Sequence, residues 1–471
     1  MVYYVLVAKK HITKENKHIM EQVKQENKMG VMPVKQLIIS MSLPMMISML
    51  VQALYNVVDS IFVSQIGEEA LTAVTLAFPL QNLMIALGSG TGVGINALLS
   101  RSLGEKNFKK SDGAANTGLL LTFFNFIAFL LIGFFFSGPF IRSQTENELI
   151  IEYGISYLSI VSCLSFGIFF QMTFERLLQS TGKTIFSMVS QGTGAIINII
   201  FDPLFIFGIG PFPELGVQGA ALATVLGQVI AASIGLFCNL KYNTEINFSF
   251  KKIVRPKSAT IKEIYYVGVP SILMMSIGSI MTYLLNRILE GFSSTAVAVF
   301  GVYFKIQSFF FMPIFGLNNG LIPVLAYNYG AKEKKRIDEA LSFAVHLALS
   351  VMIVGMVVFL AIPGTLLGMF NASDEMKSIG IIALRIICLS FPFAGLSIAL
   401  GSVFQSFSKG IYSLIISVAR QLVVLIPVAW LLSKTGSLNL VWLAFPAAEI
   451  TSLLLSVYYF RKLYNESVVN L

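Results

Sequence analysis

The chain is 471 residues long, 55% hydrophobic and only 12% charged, with a net charge of +9. Soluble globular chains carry about 25% charged residues, so this balance excludes an ordinary soluble domain and points to a chain that crosses a membrane many times. Three scattered cysteines (Cys163, Cys238 and Cys388) and three scattered histidines give no disulfide framework and no metal-ligand cluster, and no nucleophile motif or phosphate loop speaks for an enzyme.

Residues 1–35 are polar and basic, with seven lysines and no signal peptide carrying a small-residue cleavage site. Met20, Met29 and Met32 are alternative starts, and the segment is expected to be a solvated cytoplasmic tail. Twelve apolar runs follow, at about 37–64, 70–99, 112–138, 149–174, 184–208, 216–240, 263–289, 296–326, 338–362, 376–402, 410–433 and 439–460. Each approaches or exceeds the roughly 20 apolar residues that span a bilayer. They are continuous rather than alternating, which selects helices over the strands of a closed barrel. The expected fold is all-α and integral to the membrane, with twelve transmembrane helices. Pro44 in the first run and Pro203 in the fifth are expected to kink or loosen their helices.

Alternate loops, beginning with the amino-terminal tail, hold 26 of the 33 Lys and Arg residues. The positive-inside rule then puts both termini in the cytoplasm of a bacterial-type plasma membrane, and gives these basic loops a topological role rather than one in binding nucleic acid.

The chain also repeats itself. Gly90, Gly94, Gly104, Lys106, Lys109 and Asp112 recur 226 residues later as Gly316, Gly320, Gly330, Lys332, Lys335 and Asp338. Pro44 recurs as Pro270, Gln81 as Gln307, and Gln179-Ser180 as Gln405-Ser406. Each half holds six spans, so both enter the membrane from the same side. The two six-helix lobes are related by a pseudo-two-fold along the membrane normal, as in other transporters. The expected division is a tail over 1–35, an N-lobe over 36–240, a cytoplasmic linker over 241–262, a C-lobe over 263–460 and a C-terminal tail over 461–471.

The stretch Gln52–Asp59 (QALYNVVD) interrupts the first apolar run. An acid inside a membrane span costs at least about 2.5 kcal/mol and marks a functional position by default. Gln52, Asn56 and Asp59 share one helix face. Asn198 and Asp202 do the same in the fifth run, and each acid lies about five residues from the same end of its span. Two carboxylates meeting in a low dielectric do not both ionise cheaply, so the pair is expected to hold a proton between them and to titrate as a unit. The same oxygens, with those of asparagine, also suit Na⁺. At the repeat offset Asp59 corresponds to Leu285, with Asn286 beside it, while Asn198 and Asp202 correspond to Val424 and Val428. Ion-driven chemistry therefore belongs to the first half. Lys305, Arg385, Arg420 and Glu449 also fall deep in spans, and Arg420 and Glu449 read as a structural ion pair between adjacent helices. Glu175 and Arg176 read as interfacial.

The segments SLPMMISMLVQALYNVVDSIFV, LLSRSLGEKN, RLLQSTGKT, NIIFDPLFIFGIG and ARQLVVLIP together resemble the multidrug and toxic compound extrusion (MATE) transporters, in particular their DinF-like bacterial branch. The resemblance covers about residues 30–460. It implies two lobes forming a V around a central cavity. It also implies export of drugs and organic, often cationic, compounds in exchange for H⁺ or Na⁺, with Asp59, Asn198 and Asp202 binding the coupling ion. The family's other branch has acids in its seventh and tenth helices, and these are not matched here. Contacts with membrane lipid are implied, with no cofactor, nucleic acid or obligatory protein partner. The rival readings are a lipid-linked oligosaccharide flippase of related architecture, which a basic cavity would favour, and a membrane-embedded enzyme or channel.

Overall fold

The computed structural model describes residues 27–370 and 372–469. The five lysines Lys9, Lys10, Lys14, Lys17 and Lys24 of the tail lie outside the described residues. All regular structure among the described residues is helical. The spans are α1 (Val34–Ser64), α2 (Glu68–Gly104), α3 (Phe108–Arg142), α4 (Glu148–Cys163 and Phe166–Ser180), α5 (Thr184–Phe207), α6 (Val217–Tyr242), α7 (Ser258–Glu290), α8 (Ser294–Gly330), α9 (Lys334–Ala361), α10 (Asp374–Ser406), α11 (Gly410–Ser433) and α12 (Leu438–Ser467). Eleven are long and apolar enough to cross a membrane, and the two pieces of α4, bent by 44°, make a twelfth. The molecule is a multi-pass membrane protein.

Several elements extend past the apolar runs that announce them. The α12 helix continues to Ser467 instead of stopping near 460, because Leu463 is buried and the Tyr464 hydroxyl donates to Asp338 Oδ1 at 2.7 Å. The linker between the halves is shorter than expected, running from Asn243 to Lys257 with a helical turn at Phe250–Val254. The start of the chain departs most. Lys28–Val31 is a helical turn in which Met29 is completely buried, and its carbonyl accepts from both Asn328 Nδ2 and Arg336 Nη2. Asn27 reaches the other way, donating to the Thr181 carbonyl at 3.1 Å. Residues 27–35 are thus docked rather than solvated. The prolines Pro44 and Pro203 sit inside unbroken helices, which tolerate one missing hydrogen bond inside a packed bundle.

Both ends of the described chain lie on one face of the bundle. The Lys28–Val31 turn and the end of α12 both touch the α8–α9 corner, through Arg336 and Asp338. The two halves meet mainly near this face. There α7 packs on α2, and α8 packs on α1 and α2. The recurring glycines make this contact. A Cβ at Gly90 or Gly94 would strike α7 at Ile272 or Ile264, and one at Gly316 or Gly320 would strike α1 at Met46 or Ser42. At the corner the mates face one another. Gly104 lies against the Tyr327 carbonyl, and Gly330 against the Arg101 carbonyl. The repeat extends to the backbone: Lys106 and Lys332 both adopt positive φ (54° and 61°), as do Gly182 and Ser408 (86° and 59°). One large apolar core fills the second half, and two smaller cores fill the first.

Candidate functional site

The α1 and α5 helices bring the two predicted acids together. The Asp59 and Asp202 carboxyl groups lie within hydrogen-bonding reach of each other. Asp202 is fully buried and Asn198 nearly so. Asn198 Nδ2 donates to Asp202 Oδ1 at 3.1 Å and to Thr224 Oγ1 of α6 at 3.3 Å. Close approach of α5 and α6 makes the second bond possible. A Cβ at Gly227 would lie 2.6 Å from the Gly194 carbonyl oxygen, so only glycine lets the two backbones touch there.

Three side-chain oxygens in this cluster, Asp59 Oδ1, Asn198 Oδ1 and Asp202 Oδ2, are buried without a hydrogen-bond partner. Buried polar atoms are ordinarily satisfied, and exceptions call for an explanation. Here the orphans belong to three neighbouring side chains, and two carboxyls so close cannot both carry charge cheaply. The arrangement suits a shared proton, and its hard oxygens equally suit a small cation. Tyr55 and Tyr157 stand within electrostatic range of both acids, and Gln81 Nε2 donates to the Tyr157 hydroxyl at 3.2 Å.

The other predicted residues are placed as follows. Gln52 Oε1 accepts from Gln191 Nε2 at 2.8 Å, tying α1 to α5 about two turns below Asp59. Asn56 is exposed, and its side chain makes no hydrogen bond among the described residues. Asn286 lies on α7 in the other lobe, with its Oδ1 buried and unpaired, and does not join the cluster. Arg420 Nη1 donates to Glu449 Oε1 at 2.7 Å, which is the ion pair between α11 and α12.

Two groups escaped the sequence reading. Thr224, Tyr157 and Gln81 surround the acids but are uncharged, and an uncharged hydroxyl or amide in an apolar run gives little signal. Glu175 and Arg176, read as interfacial, are instead buried. Arg176 donates to Gln179 Oε1 at 3.0 Å in its own lobe and to Asn319 Oδ1 of α8 at 3.1 Å across the lobe boundary. The reason is that the second piece of α4 packs between α2 and α6, reaching α8, and carries the guanidinium inward.

Known proteins agree with this architecture. Over 429 residues the chain is 27% identical to the FAD transporter of Shewanella oneidensis, covering 90% of this chain and 93% of that one. It is 25% identical to the multidrug export protein MepA of Staphylococcus haemolyticus, covering 91% and 94%. A solved outward-facing multidrug resistance MATE family transporter of the MOP superfamily superposes with a TM-score of 0.88 at 26% identity, covering 94% of this chain and 98% of that one. A MATE crystal structure in complex with MaL6 gives the same score and identity, covering 94% and 99%. The MatE family model matches residues 44–204 and 270–431, one stretch in each half of the repeat. The chain therefore belongs to the MatE family of membrane transporters.

Proposed function

We propose that the protein is a secondary-active exporter that expels small organic compounds across a bacterial plasma membrane in exchange for protons. Its site of ion coupling is the Asp59–Asn198–Asp202 cluster of the N-lobe, and both termini face the cytoplasm. The observation that carries this reading is the convergence of two membrane carboxyls whose outer oxygens, with that of Asn198, lack any other partner. A proton arriving from outside neutralises the pair. Loss of that charge changes the packing of α1 on α5, where Pro203 leaves the Ile199 carbonyl without its helical donor and so lets α5 bend. The cavity then favours its other orientation, and the proton leaves on the cytoplasmic side. The relatives named above carry FAD in one case and multiple drugs in the other, which supports organic cargo.

The test uses inverted vesicles carrying the protein, a fluorescent drug and an imposed proton gradient without Na⁺. Drug uptake driven by the proton gradient, and lost in Asp59→Asn, is the expected result. If drug accumulates only under a Na⁺ gradient, the same oxygens form a sodium site and the proton reading is wrong.

A further inference from the structure

The short segment Asn27–Met32, which leads into α1, is fastened to both lobes at the face where they meet. On the N-lobe side, Asn27 Nδ2 donates to the Thr181 carbonyl, between α4 and α5, at 3.1 Å and to Glu245 Oε1 of the linker at 2.6 Å. The linker is itself held by the N-lobe. Two residues past Glu245, Asn247 N donates to Asp112 Oδ1 of α3, and Lys252 Nζ donates to Asp112 Oδ2, both at 2.8 Å. On the C-lobe side, the Met29 side chain is completely buried in the core that fills the second half. Its carbonyl accepts from Asn328 Nδ2 at 3.2 Å and from Arg336 Nη2 at 2.9 Å, and the Met32 carbonyl accepts from the same Nη2 at 2.8 Å. Carbonyls that end a helical turn have no partner within it, and Arg336 supplies the missing donors. Arg336 is aligned in turn by buried Asn328, whose Oδ1 accepts from Nε at 2.9 Å.

The repeat builds a crossing of this kind twice. Arg336, in the first turn of α9, corresponds at the 226-residue offset to Lys110 in the first turn of α3, and Lys110 Nζ meets Glu263 Oε2 of α7 at 2.7 Å. Each lobe thus reaches from its third helix to the start of the other lobe. The two crossings differ in strength. The Lys110 pair is partly exposed, and such surface pairs are worth little, whereas Met29 is buried. The segment also has no slack. Asn27 and Met29 are two residues apart, so at most about 7 Å of chain joins the anchor on one lobe to the anchor on the other. Parting of the lobes at this face must therefore break one set of bonds or pull Met29 from its core.

We propose that Asn27–Met32 is a strap that locks the lobes together at this face, which opens only when one end of the strap lets go. The proposal rests on the reading of the protein as a carrier whose lobes part alternately at its two faces. The strap sets the resting state of that carrier, closed on the side of the strap. The glycine contacts between the lobes let them approach, and the strap holds them there.

The test reads how often this face opens, with neither drug nor gradient, so its outcome is independent of whether protons drive the carrier. Ser42 of α1 is buried, and its hydroxyl donates to the Leu317 carbonyl of α8 across the lobe boundary at 3.3 Å. The reporter is Ser42→Cys in full-length protein otherwise free of cysteine and held in nanodiscs. A maleimide reaches this thiol only when the lobes part, so the labelling rate scales with the open population. Asn27→Asp keeps the cap of the turn, but it cannot donate to Thr181 and sets a carboxylate against Glu245. It should speed labelling by roughly 5- to 30-fold, at about fivefold for each net hydrogen bond lost. Adding Glu245→Gln should return the rate most of the way, because an amide donor then faces the new carboxylate. A chain begun at Met32 lacks the strap and should label fastest. Asn147→Asp alters a cap at the other end of α4, within one lobe, and should leave the rate unchanged. Unaltered labelling in both Asn27→Asp and the chain begun at Met32 would overturn the proposal. So would an equal acceleration at native Cys388, buried inside the C-lobe, because the whole fold would then be looser.

Discussion

Substitution of Gly104 by alanine tests the closed contact between the lobes. A Cβ on Gly104 would overlap the Tyr327 carbonyl oxygen and come within 2.8 Å of its carbon and 3.0 Å of Ala331 N. All three are backbone atoms of the α8–α9 corner, so no side chain can swing away. Relief requires the two lobes to separate near the termini by roughly 1.5 Å to reach ordinary van der Waals distance. Overpacking of this kind costs about 1 to 3 kcal/mol. That cost falls only on the state in which this face is closed, so the closed population should drop by a factor of about 5 to 150 relative to the state open at the termini. The assay is a distance measurement between spin labels at Lys109→Cys and Lys335→Cys, repeat mates exposed on the two lobes, in a background lacking native cysteines. Gly330→Ala should act the same way, since its Cβ would overlap the Arg101 carbonyl oxygen. Gly113→Ala is the control, with nothing within 4 Å of its Cβ. If Gly104→Ala and Gly113→Ala give the same distance distribution, the backbone yields locally and the glycine does not govern closure.

Three further outcomes follow from the site. Asp59→Asn should abolish gradient-driven transport in a protein that still folds, because an amide neither cycles a proton nor neutralises a cation; full transport by that variant would remove Asp59 from the mechanism. Asn198→Ala should lose more transport than Asn286→Ala, since Asn198 bonds Asp202 and Thr224 while Asn286 stands apart; the opposite ranking would move coupling to the C-lobe. Arg420→Ala should destabilise the detergent-solubilised protein by about 1 to 3 kcal/mol, the cost of an unpaired carboxylate discounted for partial exposure. Adding Glu449→Leu should restore most of that in thermal unfolding, and a double variant no more stable than the single one would contradict the pairing argument.

The spans were legible because bilayer thickness imposes a minimum apolar length, and little else in a sequence produces twelve such runs. The two acids were legible for the same reason: an apolar run makes a charge conspicuous. That logic fails for groups whose importance lies in their neighbours. Thr224 reads as one more small residue until Gly194 and Gly227 bring α6 against Asn198. Arg176 sits near a helix end, where arginines usually meet water, and only the packing of α4 turns it toward Asn319. Met29 belongs to a polar stretch by composition, yet its side chain enters the core of the other half of the chain.

The internal repeat separates two kinds of constraint. The glycines that recur at 226 residues sit where the lobes touch near the pseudo-two-fold. A residue close to that axis meets its own mate or the mate's neighbours, as Gly104 and Gly330 each meet a carbonyl of the opposite corner. Enlarging either member blocks the same approach, so both halves must stay small there. The interiors of the lobes are under no such rule. Asn198 bonds Asp202 and Thr224 within one lobe, and Arg420 bonds Glu449 within the other, so each interior can change without disturbing the contact between lobes. Symmetric positions in this chain therefore report how the halves close on one another. Departures from symmetry, such as Asp59 opposite Leu285 and Asp202 opposite Val428, mark where the halves are free to differ.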